Sequence, residues 1–222
     1  MDLPFIDPDI RRAETLPGWF YSDAGVEALF CERLVPQSWQ LIDPAHLPEP
    51  GEARPLESGG VPLVMTRDEQ GFHCLSNVCT HRGAIVATEP CRTLRCPYHG
   101  RQFELDGRFR SMPGFEETLD FPRPQDDLTS LSTGRVGPLL FVSVRPEMAL
   151  QELVGPLEGK VSWEGLQWTG SRRYTVDASW LLYCENYLEG FHLPFVHPGL
   201  SRELDLSSYT TDLFPWSSYQ VG

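Results

Sequence analysis

CTHRGAIVATEPCRTLRCPYHG, residues 79–100, packs three cysteines and two histidines into a polar, glycine-bearing segment. Three chemistries suit such a run: a zinc knuckle, a disulfide staple, or a centre that moves electrons. Cys79 and His81 stand two positions apart and Cys96 and His99 three, so two loops each offer one thiol and one imidazole. A Cys2His2 zinc site usually pairs cysteine with cysteine in one arm and histidine with histidine in the other. Mixed arms argue for two metals instead.

The rest of the chain narrows the choice. MDLPFIDPDIRRAETLPGWF at the N-terminus has no apolar core of signal-peptide length, and no uncharged run approaches a membrane span. The expected compartment is therefore the cytoplasm, with no membrane partner. Six cysteines there (Cys31, Cys74, Cys79, Cys91, Cys96 and Cys184) read as buried thiols or metal ligands rather than disulfides. With 222 residues, 41% of them hydrophobic, the chain can bury one large or two small cores. A net charge of −13 leaves no basic stripe for phosphates, which argues against nucleic acid. It suits a cationic substrate or basic partner, although an acidic surface is most often simply a soluble one.

Three segments follow from the texture of the sequence. Residues 1–45 read as a leader with a short amphipathic helix, Val26, Leu29, Phe30 and Leu34 recurring at helical spacing. HLPEPGEARPLESGG, residues 46–60, reads as loop because of its prolines and glycines. Residues 46–145 form a small all-β domain: two runs flank the Asp68–Gly71 turn, a hairpin is built on Asp106-Gly107, and GPLLFVSV closes the region. In 146–222, RRYTV reads as a strand, and Asp177 is placed to cap a helix through ASWLLYCENYLEG. Trp180, Leu181, Cys184, Tyr187 and Leu188 would form its apolar face, until Pro194 and Pro198 break the pattern.

A Rieske centre requires the division that the two loops offer: in a [2Fe-2S] cluster one iron keeps two cysteines and the other takes two histidines. Through CTHRGA and CPYHG the sequence resembles the Rieske non-haem iron oxygenases, the ring-hydroxylating oxygenase α-subunit family. The resemblance makes Cys79, His81, Cys96 and His99 the cluster ligands. Fourteen residues separate His81 from Cys96, fewer than is usual there, so a short hairpin is expected between the arms. The respiratory-complex branch, with an extra disulfide-forming cysteine in each loop, is disfavoured because Ala84 and Tyr98 occupy those places. Cys91 reads as a spare thiol, Cys74 as a buried strand residue, and Arg101 stands where the family often has tryptophan.

CENYLEGFHLPFVHP, residues 184–198, is a second constellation. At helical spacing Glu189 and His192 share a face, and the break at Pro194 lets His197 swing back to the same point. Two imidazoles with open positions describe most of a facial-triad Fe(II) site, although such pairs taken alone are more often ordinary core or surface histidines. The resemblance assigns His192 and His197 to the mononuclear iron. It makes Glu189 a bridge between a histidine of that site and a cluster histidine of an adjacent subunit, and Asn186 the catalytic-site asparagine. ENYLEGFH is similar to the homomeric branch that includes choline and carnitine monooxygenases.

The fold so implied is α+β: an all-β Rieske iron–sulfur domain followed by the beginning of an α+β, helix-grip-like catalytic domain. The implied cofactors are a [2Fe-2S] Rieske cluster and a mononuclear Fe(II). Electrons would come from an NAD(P)H-dependent reductase or a ferredoxin, with O2 and a small aromatic or quaternary ammonium compound as substrates, in a homotrimer when full length. The family's third iron ligand is an aspartate far toward the C-terminus, whereas twenty-five residues follow His197; Asp205 and Asp212 do not resemble it in placement. The chain is therefore expected to be a fragment. A Rieske electron carrier, an inactive truncated oxygenase and a structural zinc protein stay open at this stage.

Overall fold

The computed structural model describes residues 3–58, 60–205 and 207–222. The readings that touch Met1, Asp2, Gly59 and Leu206 lie outside the described residues. Two compact units emerge: one comprises 33–148 and 163–171, the other the described residues up to 32 together with 149–162 and 172–222. Among the described residues no helix is long and apolar enough to cross a membrane.

The first unit is built on a six-stranded antiparallel sheet. Its strands are β1 (Gln40–Leu41), β2 (Glu52–Ser58), β3 (Val61–Arg67) and β4 (Phe72–Ser76), joined later in the chain by two more. A separate three-stranded sheet contains β5 (Leu94–Arg95), β6 (Gln102–Phe103) and β7 (Phe109–Ser111). Then β8 (Ser130–Val136) and β9 (Leu139–Ser143) complete the large sheet in the order β1-β9-β8-β4-β3-β2.

Turn chemistry sets the registers. Asp68 accepts hydrogen bonds from the backbone N–H groups of Gln70 and Gly71, closing the β3–β4 turn and aligning Met65 with Cys74. Gly107 has φ +92°, and a Cβ there would lie 2.9 Å from Leu75 Cδ2 and 3.3 Å from the Leu128 carbonyl oxygen. Only glycine fits that corner.

β3 lies next to the edge strand β2, and its period-2 alternation feeds two cores. Leu63 and Met65 pack with Ile42, Cys74, Leu140 and Val142 on one face. Val64, on the other, joins Leu75, Leu94, Phe103, Leu128 and the two motif cysteines, Cys79 and Cys96. The loops that carry the motif thus rest on a packed core.

Two expectations for this unit are corrected. Residues 52–58 are a strand, not a loop: Pro55 pairs with Val64 in β2, the edge strand, where a residue without an N–H is tolerated. The segment between the two arms does not fold back as its own hairpin; Cys91 exchanges backbone hydrogen bonds of 2.9 and 2.7 Å with Ala53 of β2 instead.

In the second unit, a helix at Ala24–Leu29 starts at Asp23, whose carboxylate caps Gly25 and Val26; the chain then continues into a π-helical turn over Phe30–Leu34, whose last two residues belong to the first unit. Of the four residues expected to form an apolar stripe, only Val26 is fully buried. The helix at Trp180–Tyr187 forms where expected. Its N-cap is Ser179 rather than Asp177, and its expected apolar face is not buried. Arg172–Val176 joins no ladder, so β-branched composition alone did not make a strand. A hairpin of β10 (Thr210–Leu213) and β11 (Ser218–Val221) follows.

Candidate metal centres

The two motif loops are built on one plan. The Cys79 N–H donates to the Ala84 carbonyl, and the Gly83 N–H returns to the Cys79 carbonyl. Likewise the Cys96 N–H donates to Arg101, and the Gly100 N–H to Cys96. Each loop needs a glycine four residues after its cysteine, with φ +71° at Gly83 and +74° at Gly100. This shared turn points both thiols inward. Cys79 and Cys96 are 3% and 2% exposed and belong to the same buried cluster. His81 and His99 meet edge to face with ring centroids 4.7 Å apart, His99 toward solvent.

The four side chains thus sort into a thiol pair and an imidazole pair, each drawn from both loops. Among the described residues no three His, Cys, Asp or Glu side chains gather as a single-metal cluster. A two-iron group does not need them to.

Electrostatics fit the same group. Burial pushes the Cys79 thiol up and Cys96 adds to it, while the His81 N–H and the Arg101 charge pull it down. Two adjacent buried thiolates need cationic compensation, which bound iron supplies. Burial first, then His99, Arg82 and Arg101, hold the His81 imidazole below its usual range, which favours the neutral form that a metal binds. Cys74, by contrast, is pushed up to about 12 by burial alone and is an inert core thiol.

Asn77 clamps the first loop from within. Its Nδ2 donates 2.7 Å to the Ala87 carbonyl, its Oδ1 accepts 2.9 Å from the Ala87 N–H, and the residue is 3% exposed. Asn77→Leu would strand both backbone groups in the core. The expected loss is roughly 2–4 kcal/mol, read as a lower midpoint in denaturant; an unchanged midpoint would show that the clamp contributes nothing.

The second constellation is organised differently from the helical reading. The helix ends at Tyr187, so Glu189 and His192 share a turn rather than a helix face. Pro194 does not break a helix; it lies in the first turn of a new one, Leu193–Val196, where its missing N–H goes unused. That short helix delivers His197, whose ring centroid lies 5.1 Å from that of His192. Glu189 Oε1 holds His192 Nδ1 in a short hydrogen bond, and Oε2 accepts from the Phe191 N–H. With Nδ1 engaged, Nε2 is the His192 nitrogen left for a metal. Burial works to raise the Glu189 carboxyl, but the bonds from His192 and Phe191 prevail and hold it low.

Asn186, Glu189, His192 and His197 all line one cavity of about 590 Å³. Asp205 is turned to Ser207, and Asp212 pairs with Lys160 at 3.6 Å. Neither lines that cavity. Two residues with no signal in the sequence do line it: Tyr209, whose hydroxyl donates to Gln220 Oε1, and Gln220 itself. The Tyr209 ring lies so close over Gly190 that a Cβ there would stand 2.9 Å from Tyr209 Cζ.

Residues 38–124, which include both motif loops, match the family described as the Rieske [2Fe-2S] domain. Choline monooxygenase from Arabidopsis thaliana chloroplasts is 30% identical over 96% of this chain and 56% of its own length. The glycine betaine monooxygenase oxygenase subunit of Chromohalobacter salexigens is 28% identical over 86% of this chain and 44% of its own length. In fold, the quaternary ammonium Rieske monooxygenase CntA, solved with L-carnitine, superposes with a TM-score of 0.75 at 20% identity, over 94% of this chain and 62% of that one. By sequence the chain is similar to choline and glycine betaine monooxygenases, and in fold to a Rieske monooxygenase. It spans about half the length of the curated relatives it matches.

Proposed function

We propose that this chain is the cluster-bearing part of an oxygenase component that acts on a quaternary ammonium compound. The observation that carries the reading is the pairing of side chains across twin loops, thiol with thiol and imidazole with imidazole. Cys79 and Cys96 hold one iron of the cluster, and His81 and His99 the other. His192 and His197 hold the mononuclear iron beside Asn186. When bound, the cluster supplies single electrons and the mononuclear iron supplies the centre at which dioxygen is activated. Glu189 keeps the proton on His192 Nδ1 and so fixes the ring. The cavity bordered by Tyr187 and Tyr209 takes the substrate cation against aromatic faces.

Electrons enter from an NAD(P)H-dependent reductase or a ferredoxin in the cytoplasm. Residues 46–145 carry the cluster and 146–222 open the catalytic domain. In a homotrimer closed head to tail, Glu189 of one subunit also receives the His99 ring of the partner subunit, which shortens the path for electrons. The names of the choline and glycine betaine monooxygenases support the substrate class over an aromatic one.

The test is dioxygen uptake by the gene product containing these residues, with a reductase, NADH, and choline or glycine betaine. Substrate-dependent uptake with an oxidised product is expected. Uptake driven by an aromatic hydrocarbon but not by either ammonium compound would reject the substrate class.

A further inference from the structure

Arg101 is charged, 2% exposed, and placed two residues after His99. Its Nη2 donates 2.6 Å to Asp126 Oδ1, and its guanidinium carbon lies 5.0, 5.5 and 5.8 Å from the ring centroids of Phe109, Phe121 and Phe103. Among the described residues its Nε has no hydrogen-bond partner. Taking a guanidinium out of water into such a cage is costly unless charge pairing and ring faces offset it. The backbone shows what the pair connects. The Arg101 carbonyl accepts from Cys96 in the second ligand loop at 2.8 Å, and the Asp126 carbonyl accepts from the Thr80 hydroxyl in the first at 2.7 Å. The ion pair is a strap between the two loops.

We propose that Arg101, held by Asp126, is a positioning residue that also keeps a fixed positive charge beside the cluster and thereby favours its reduced state. The inference rests on the Rieske reading of the four ligands. Reduction adds one electron from an external one-electron donor and makes the site one unit more negative, with no bond formed or broken. A buried cation nearby therefore stabilises the reduced form, because net charge is among the factors that set the potential of iron–sulfur centres. Two rings link the guanidinium to a ligand: Phe121, 5.5 Å from the guanidinium carbon, packs 5.4 Å from Phe115, whose centroid lies 6.0 Å from that of His81. Asp126 stays ionised to hold the guanidinium: burial works to raise its carboxyl, but the bonds from Arg101 and Arg123 keep it low.

The experiment is a spectroelectrochemical titration of the cluster in the intact protein and in three variants. Arg101→Gln is expected to lower the potential, making the reduced-to-oxidised ratio at fixed ambient potential about tenfold smaller, or about 59 mV for one electron. Asp126→Asn leaves the guanidinium uncompensated and is expected to raise it. Arg101→Lys returns the potential toward that of the unaltered protein. Loosening of the strap alone would move Arg101→Gln and Asp126→Asn in the same direction, so shifts of the same sign, or none, overturn the inference. If Arg101→Gln does not retain its cluster, Asp126→Asn decides: a rise supports the role, and an unchanged or lower potential rejects it. An unaltered protein that holds no [2Fe-2S] cluster would instead overturn the reading of the site itself.

Discussion

Cys96→Ser and Cys79→Ser proteins should each be purified without a cluster, lacking acid-labile sulfide and visible absorption. Both thiols sit at the inner end of a loop whose turn is fixed by a left-handed glycine and two backbone hydrogen bonds, so a neighbouring side chain cannot easily take their place. The thiolate is the ligand form, and a serine hydroxyl does not ionise at neutral pH to replace it. Cys91→Ser is the control: its thiol lies in the segment held against β2 and should leave the cluster content unchanged. A cluster retained at full occupancy in either ligand variant, or lost in Cys91→Ser, would refute the assignment.

Glu189→Gln tests the second site. The amide can still meet His192, but it cannot supply the negative charge that orients an imidazole and raises its basicity. In the full-length gene product both metals should remain bound and the cluster reducible, while product per turnover falls by roughly 10- to 100-fold, the range typical for carboxylates that support metal-bound histidines. Single-turnover oxidation of a pre-reduced cluster, with substrate and dioxygen present, is the measurement. Unchanged oxidation and product yield would reject the bridging role across subunits, and loss of mononuclear iron would make Glu189 a direct ligand.

Ligand spacing and turn residues carried most of what the sequence revealed. Cys-x-His and Cys-x-x-His, each with a glycine four residues after the cysteine, belong to one recurring loop shape, which is why the two arms could be read as a pair. Asp68–Gly71 and Asp106-Gly107 likewise announced their hairpins, because their conformations need those residue types. Pro55 misled: proline normally argues against a strand, and only the position of β2 at the sheet edge makes it acceptable. Pro194 misled in the same way, since its effect depends on whether a helix is ending or beginning there.

Long-range partners were invisible. Nothing near Arg101 in the sequence names Asp126, twenty-five positions on, as its counterion, or three phenylalanines as its cage. Asn77 and Ala87, ten apart, and Tyr209 and Gln220, eleven apart, are the same kind of case. Such pairs are set by the packing of elements, and short-range patterns carry no record of them. The segment Arg172–Val176 shows the converse, with strand-like composition and no neighbouring strand to pair with.

Pulsed electron paramagnetic resonance of the reduced protein, with iron and acid-labile sulfide determined on the same sample, tests the central claim most directly. The account predicts a [2Fe-2S] signal coupled to two imidazole nitrogens, with one nitrogen coupling lost or altered when His81 or His99 is replaced. One zinc per chain without sulfide, or a [2Fe-2S] signal with no nitrogen coupling, would contradict it.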